Sequence, residues 1–314
     1  MKHILVIGGA GFIGYNFIKW MSENHPEVSL SIFDIMNYAG AYKSEEKMKL
    51  FFKTCIGKYF NKDINNKDDI INAIYDTNKI STHPVDTIVN FAAQTHVDNS
   101  LVDPSDFWKT NIQGAINVAE VATKFNIRLH HVSTDEVYGS VKITDNVTET
   151  FNLNPSSPYS ASKASADLCL MSITKCNNSK ITISRCSNNY GPFQHPEKLI
   201  PKILYCIENN ISIPVYGNGL QVRDWIHAED HSSAIYTILE KGTIGEIYNI
   251  SGDTLISNID LINFIIKEKH ASTNLITFVK DRINHDTLYH VNDQKLRSLG
   301  WNPIHNIKDE ICTL

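Results

Sequence analysis

Thr134, Asp135 and Glu136 stand in a row where the apolar run from Ile127 to Val132 gives out, and Gly139 breaks the chain just after them. A hydroxyl and two carboxylates at the end of a buried strand are costly to desolvate. In open α/β sheets, ligands sit just outside the carboxyl ends of the strands. Neighbouring side chains point in different directions, so Asp135 and Glu136 can reach different atoms of one substrate. The plainer alternative is a strand running into a polar turn, with Asp135 as a local cap.

Tyr159 and Lys163 form a second pair of this kind. On a helix, positions i and i+4 share a face. An ammonium close to a phenol favours phenolate, which predicts a Tyr159 pKa drawn down from about 10. That makes Tyr159 a candidate general base. A bare Tyr-x-x-x-Lys is equally a surface pair; its position one loop after the Thr-Asp-Glu row singles it out. A third set, Gly8, Gly11 and Gly14, falls between a strand and a helix. Glycines there let the backbone turn tightly and approach a pyrophosphate, and the helix aims its N-terminus at the charge. Asp34 ends the next strand, as the dinucleotide fingerprint requires. Its carboxylate would accept from a ribose and repel a 2′-phosphate, so NAD is expected over NADP.

These residues need a frame. Strands are expected over 2–7, 29–33, 55–60, 85–91, 127–132 and 181–184, with helices after residue 14, over 105–125 and over 159–176. Strand and helix alternate at βαβ spacing, which predicts a doubly wound parallel sheet of Rossmann type. After Gly191-Pro192 the pattern changes to short elements among Pro, Gly and Asn. We therefore place an NAD-binding domain at 1–187 and a smaller α/β substrate domain at 188–314, with part of 228–250 packing back on the first.

With 314 residues and 42% hydrophobic content, the chain can bury a large core. A net charge of -5 gives no footprint for nucleic acid or anionic membranes. No apolar run reaches spanning length, and the start leads straight into a strand, so no signal peptide and a cytoplasmic location are expected. Six cysteines without CxxC spacing fit reduced thiols. No metal-ligating set is singled out.

The glycine run, Asp34, Tyr159 and Lys163 resemble the extended short-chain dehydrogenase/reductase superfamily. Ser133-Thr134-Asp135-Glu136-Val137-Tyr138-Gly139 narrows the resemblance to the nucleoside-diphosphate-glucose 4,6-dehydratases, which act on dTDP-glucose or UDP-glucose. Tyr38-Ala39-Gly40, Ala92 to Asp98, Cys186 to Pro192, Pro196 to Pro201, Val222-Arg223-Asp224-Trp225 and His285-Asp286 also match. Related 4-epimerases and decarboxylases usually lack the Asp-Glu pair. The stretch Gln94 to Ser100 is more similar to the plant and animal branch, which implies that UDP-glucose is accepted as well as dTDP-glucose. Other readings are a UDP-hexose 4-epimerase, a decarboxylase, or a non-catalytic NAD-sensing protein.

The resemblance implies that Tyr159 takes the O4 proton while NAD takes hydride from C4, with Thr134 and Lys163 holding that site. Glu136 removes the C5 proton and Asp135 protonates the departing C6 hydroxyl, so the two acids must differ in pKa. Phe12, Ile13, Asp63, Ile64, Ala92, Ala93, Thr110 and Asn189 are implied around NAD. Thr95 and Asn188 are implied at the hexose, and His96 either orients a sugar or fills the strand end. Lys198, Leu199, Pro214, Val215 and Tyr216 are implied at the base and ribose, and Arg223, Asn258 and Arg282 at the diphosphate. Leu288 stands before Tyr289 where the family usually has Arg, which removes one expected nucleotide contact. The resemblance further implies a homodimer, and deoxysugar biosynthesis, toward rhamnose for example.

Overall fold

The computed structural model describes residues 1–36 and 58–311. Strand β1 (His3–Ile7) is buried at every position. A strand so apolar along its length belongs where both faces of a sheet are covered. The chain then runs through helix Phe12–Asn24, β2 (Ser29–Asp34), β3 (Tyr59–Asn61), helix Lys67–Ile80 and β4 (Thr87–Asn90). The expected strand over 55–60 begins at Tyr59 among the described residues; Cys55 and the Tyr38-Ala39-Gly40 match lie outside them.

The helix expected over 105–125 is interrupted. Residues Ser105–Phe107 and Ala115–Lys124 are α-helical, but Trp108–Gly114 is a π-helical turn. Apolar spacing alone does not reveal such a widening. Within it, Asn111 leaves the helix surface to bond Gln94 in both directions and Ser162 Oγ at 2.8 Å. These bonds tie the loop after β4 to the helix that carries Tyr159.

Next come β5 (Arg128–Thr134), helix Pro158–Asn177, β6 (Ile181–Cys186), β7 (Asn188–Tyr190), helix Leu199–Glu208, β8 (Ile213–Tyr216) and β9 (Val222–His227). Helix Ala228–Lys241, β10 (Ile247–Ile250), β11 (Leu255–Ser257), helix Asn258–Glu268 and β12 (Ile276–Val279) follow. Seven strands form one parallel sheet in the order β10-β6-β5-β4-β1-β2-β3. The chain winds outward from β1 through β2 and β3, then restarts at β4 on the other side. The switch point between β1 and β4 opens the crevice in which such sheets bind ligands. Gly8 lies at that point with φ +78, and a Cβ there would stand 2.5 Å from Ala92 N. Only glycine permits the two strand ends to approach this closely.

The later chain splits in its loyalties. β10 pairs with β6 in the large sheet, and Ile235 and Leu239 of helix Ala228–Lys241 pack with Ile4, Val6 and Phe17. Strands β11-β9-β7 and β12-β8 make two small sheets around a separate core that includes Ile200, Ile203, Ile213, Val215, Leu261 and Ile265. A cleft of about 700 Å³ runs between this core and the carboxyl edge of the large sheet.

Candidate active site

Strand β5 delivers the Thr-Asp-Glu row to the cleft. Thr134 ends the strand and caps a 3₁₀ turn, Asp135–Tyr138, by accepting from Glu136 N at 3.3 Å. Gly139, at φ +69, closes the turn where a Cβ would strike Asn154 O at 2.1 Å. Tyr138 anchors it from below, donating to Asn249 Oδ1 at 2.8 Å and accepting from Arg185. Asp135 and Glu136 are thereby held in the cleft wall beside Tyr159 and Lys163.

The two acids sit in different fields. Asp135 is 2% exposed; Oδ1 accepts from Thr134 Oγ1 at 3.3 Å, while Oδ2 has no protein partner. Burial, then the neighbouring Glu136 and Asp224 carboxylates, push its pKa well above the carboxylate range. Burial also raises Glu136, but Arg223 and Lys198 pull against it. Asp135 therefore keeps its proton to higher pH than an ordinary aspartic acid, while cations stabilise Glu136 in its charged form. Tyr289 approaches Glu136 Oε2 at 3.5 Å and donates to Asp286 Oδ2 at 2.7 Å. Arg223 stacks on the Tyr289 ring at 4.1 Å and donates to the Asp286 carbonyl at 2.9 Å.

Helix Pro158–Asn177 starts with Pro at its first turn and a capping box between Ser157 and Ser160, which fixes where Tyr159 and Lys163 point. Both are buried. The expected lowering of the Tyr159 pKa is not found. Burial, then the charge of Glu136, push it above its usual range, opposed by a hydrogen bond with Thr134. The lysine is turned to other partners. Lys163 Nζ donates to the main-chain carbonyl of Val132 at 2.7 Å and lies 3.4 Å from His131 Nε2. Burial lowers its own pKa to about 8.

At the glycine turn, Gly14 packs so closely that a Cβ would meet Gly8 O at 2.3 Å. Asp34 lies beside this turn, accepting from Ala10 N at 2.9 Å and Met36 N at 2.7 Å. Gly8, Gly11, Phe12, Ile13, Gly14, Ala93 and Asn189 line the cleft. Asp34, Asp63, Ala92 and Thr110 do not line it. The Ile64 side chain is 4% exposed and packs in the main core. Several buried polar atoms of the cleft wall lack a protein partner, among them Ser133 Oγ, Ser187 Oγ and Asn188 Oδ1. Such atoms call for a polar ligand, and together with the glycine cradle they fit a dinucleotide.

On the substrate side, Thr95, His96, Asn188, Lys198, Leu199, Pro214, Tyr216, Arg223, Asn258 and Arg282 line the cleft. Val215 does not: it is 2% exposed and part of the second core. It sits in β8 between Pro214 and Tyr216, and a strand turns alternate residues to opposite faces. Lys198 Nζ donates to Thr95 O at 3.0 Å, and His96 Nε2 faces Glu197 at 3.4 Å. Arg282 stacks on Tyr216 at 4.6 Å and pairs with Asp98. Asn258 Oδ1 is buried without a partner.

Sequence reasoning did not single out Tyr289, Asp286 as a partner of it, or His231. His231 Nδ1 pairs with Asn189 Oδ1 at 2.8 Å, and burial keeps that imidazole neutral, with a pKa of about 3. The signal for Tyr289 was present in the His285-Asp286 match three residues upstream, but nothing in the spacing points it at Glu136.

Comparison with known proteins supplies the family. The sequence profile described as GDP-mannose 4,6 dehydratase matches residues 5–313. A dTDP-glucose 4,6-dehydratase of Mycolicibacterium smegmatis is 38% identical over 305 residues, covering 96% of this chain and 88% of that protein. The crystal structure of dTDP-glucose 4,6-dehydratase from Bacillus anthracis in complex with NAD superposes with a TM-score of 0.89 at 36% identity, covering 99% of this chain and 94% of the other. A dTDP-glucose 4,6-dehydratase from Streptomyces venezuelae with NAD bound gives 0.88 at 34% identity, covering 99% and 95%.

Proposed function

The chain belongs to the GDP-mannose 4,6 dehydratase family, and on that footing we propose that it is an NAD-dependent nucleotide-sugar 4,6-dehydratase. It converts dTDP-glucose and/or UDP-glucose to the 4-keto-6-deoxy sugar and water. The observation that carries this reading is the pair Asp135 and Glu136, the first buried and the second half-buried, side by side in the cleft wall with Tyr159. A 4-epimerase, a decarboxylase or an NAD-sensing protein has no use for such a pair.

NAD, held at the glycine turn, would supply the acceptor for hydride from C4 and the donor of hydride to C6. Tyr159, with Thr134 hydrogen-bonded to it, holds and removes the O4 proton. Its raised pKa in the free protein means that deprotonation must be driven by the bound reactants. The C4 ketone acidifies the C5 proton, which Glu136 takes and gives back to C5 when C6 receives hydride. Asp135, kept protonated by burial, gives its proton to the C6 hydroxyl, which leaves as water. Each transfer is worth about 10²- to 10⁴-fold in rate.

The glycine turn, Phe12, Ile13, Asp34 and Asn189 hold the dinucleotide, with Asp63 and Ile64 at its adenine and Ala92, Ala93 and Thr110 lining it. Thr95, His96 and Asn188 meet the hexose, Lys198, Leu199, Pro214 and Tyr216 the base and ribose, and Arg223, Asn258 and Arg282 the diphosphate. Residues 1–187 then serve NAD and 188–314 the nucleotide sugar. Thymine and uracil differ by one methyl, worth only about 1–3 kcal/mol in a pocket, so a pocket that takes dTDP-glucose also admits UDP-glucose. The product serves deoxysugar biosynthesis, such as that of rhamnose.

No described helix is long and apolar enough to cross a membrane, and we place the enzyme in the cytoplasm. Val102, Trp108 and Leu168 are exposed on helices Val97–Val102, Trp108–Gly114 and Pro158–Asn177. Pairing these helices across a two-fold axis would bury them, so we propose a homodimer. Steady-state rates with dTDP-glucose and UDP-glucose test the function. Formation of a 4-keto-6-deoxy product, absorbing in strong alkali, supports it; a 4-epimer as sole product overturns it.

A further inference from the structure

Where β9 hands over to helix Ala228–Lys241, imidazoles and carboxylates converge outside the cleft. His227, Glu229 and His305 each bring one ligand atom to within 4.8 Å of the others, a single such group among the described residues. Glu310 reaches the same centre. Its Oε2 lies 3.8 Å from His227 Nε2 and its Oε1 lies 3.7 Å from His305 Nε2. Glu229 Oε2 lies 3.8 Å from that second nitrogen. The two rings are 4.4 Å apart, centroid to centroid. None of the four residues lines the cleft.

We propose that His227, Glu229, His305 and Glu310 form a site for a first-row divalent cation of the zinc type. Two imidazoles and two carboxylates are donors that such ions accept, and the carboxylates balance the ion's charge. Calcium and magnesium prefer all-oxygen sets. With metal–ligand bonds of about 2.0–2.2 Å, ligand atoms around a tetrahedral ion stand roughly 3.4 Å apart. The three pairs at 3.7–3.8 Å need to contract by a few tenths of an ångström; the wider ones, all within 4.8 Å, need side-chain rotation as well.

A second, independent feature is how His305 is held. Its Nδ1 faces Asp230 Oδ1 at 2.9 Å, and Asp230 also accepts from the main-chain amides of Ile304 and His305. Asp230 is 2% exposed. A buried carboxylate on one imidazole nitrogen, leaving the other nitrogen's lone pair free, is the usual support of a metal-binding histidine. Tyr190 donates to Glu310 Oε2 at 3.2 Å and steadies a second ligand. Two contacts oppose the site. Lys19 Nζ lies 3.3 Å from Glu229 Oε1, leaving Oε2 for the metal. His227 Nδ1 accepts from Glu229 N at 3.3 Å, a long bond that ligation through Nε2 would forfeit as the ring proton moves to Nδ1. The ligands come from the end of β9, the start of the next helix and the segment 305–310, so the ion would staple that late segment to the body of the protein.

The test uses the full chain, stripped with a chelator, dialysed against zinc and assayed by elemental analysis; cobalt(II) replaces zinc for spectroscopy. The expected result is one zinc per chain, a raised melting temperature, and the intense visible bands of four-coordinate cobalt. His305→Ala and Glu310→Gln, each checked for folding by circular dichroism, should bind zinc at least about 10- to 100-fold more weakly. Zinc lost from the wild type on dialysis, zinc held equally by wild type and His305→Ala (an adventitious ion only), or a six-coordinate cobalt spectrum would each overturn the proposal. None of these readouts depends on the activity assigned to the cleft.

Discussion

Lys163 Nζ reaches the carbonyl of Val132 at 2.7 Å, so the cation of the Tyr-x-x-x-Lys pair is spent on the end of β5. Burial lowers its pKa to about 8. The folded value lies below the unfolded value of about 10.5, so the unfolded chain holds the extra proton between them, and stability rises with pH across that window. At neutral pH the buried charge costs stability. Lys163→Met should therefore keep or raise the melting temperature at pH 7, while kcat falls on the order of 10²-fold, as for loss of one preorganised donor. A variant that melts earlier would show that the Val132 bond outweighs the desolvated charge.

Arg223 opposes the burial that raises Glu136. A base must be ionised, so activity falls as pH drops through the Glu136 pKa. Arg223→Lys loses the flat stack on Tyr289 and weakens that opposition. The acid limb of the kcat profile should move to higher pH, and KM for the nucleotide sugar should rise. An unmoved limb would separate Glu136 from the group titrating there.

Glu136→Gln and Asp135→Asn should leave NAD bound and C4 oxidation possible, yet slow dehydration by about 10²- to 10⁴-fold each. Single-turnover absorbance of NADH is the measurement. Accumulation of NADH is expected in both; full turnover by either removes that residue from the elimination.

Asn258 Oδ1 is buried at the cleft without a protein partner. If a substrate group completes it, Asn258→Ala costs about 1–3 kcal/mol of binding, read as a raised KM with kcat held. A fall in kcat alone would point to misplaced chemistry.

Away from the site, Arg185 Nε pairs with Asp167 Oδ2 at 2.8 Å, both almost wholly buried. Removing one partner strands the other charge, so Asp167→Ala should cost about 3–5 kcal/mol in urea denaturation.

The sheet was legible because its strands are continuous apolar runs and its turns are marked by Gly8, Gly14 and Asp34. Thr134, Asp135, Glu136, Tyr159 and Lys163 were legible as a set because a strand end and a helix face are local features. What depends on direction was not. Val215 points into the core because β8 alternates, and its length gave no clue to its phase. The π turn at Trp108–Gly114 preserves apolar spacing at both ends and hides between them. Lys163 was expected to act on Tyr159, but its long side chain finds a carbonyl across the helix–strand gap. Tyr289 and Glu136 are 153 residues apart in sequence, and only the folded chain brings them together.

The proposed reaction is an internal redox: hydrogen leaves C4 and returns to C6 of the same sugar while Glu136 and Asp135 remove water. The most direct measurement is incubation with dTDP-glucose carrying deuterium at C4, followed by NMR of the product. Deuterium is expected in the C6 methyl group of a 4-keto sugar. Deuterium retained at C4 in an epimerised sugar, or a product without a C6 methyl group, would contradict it.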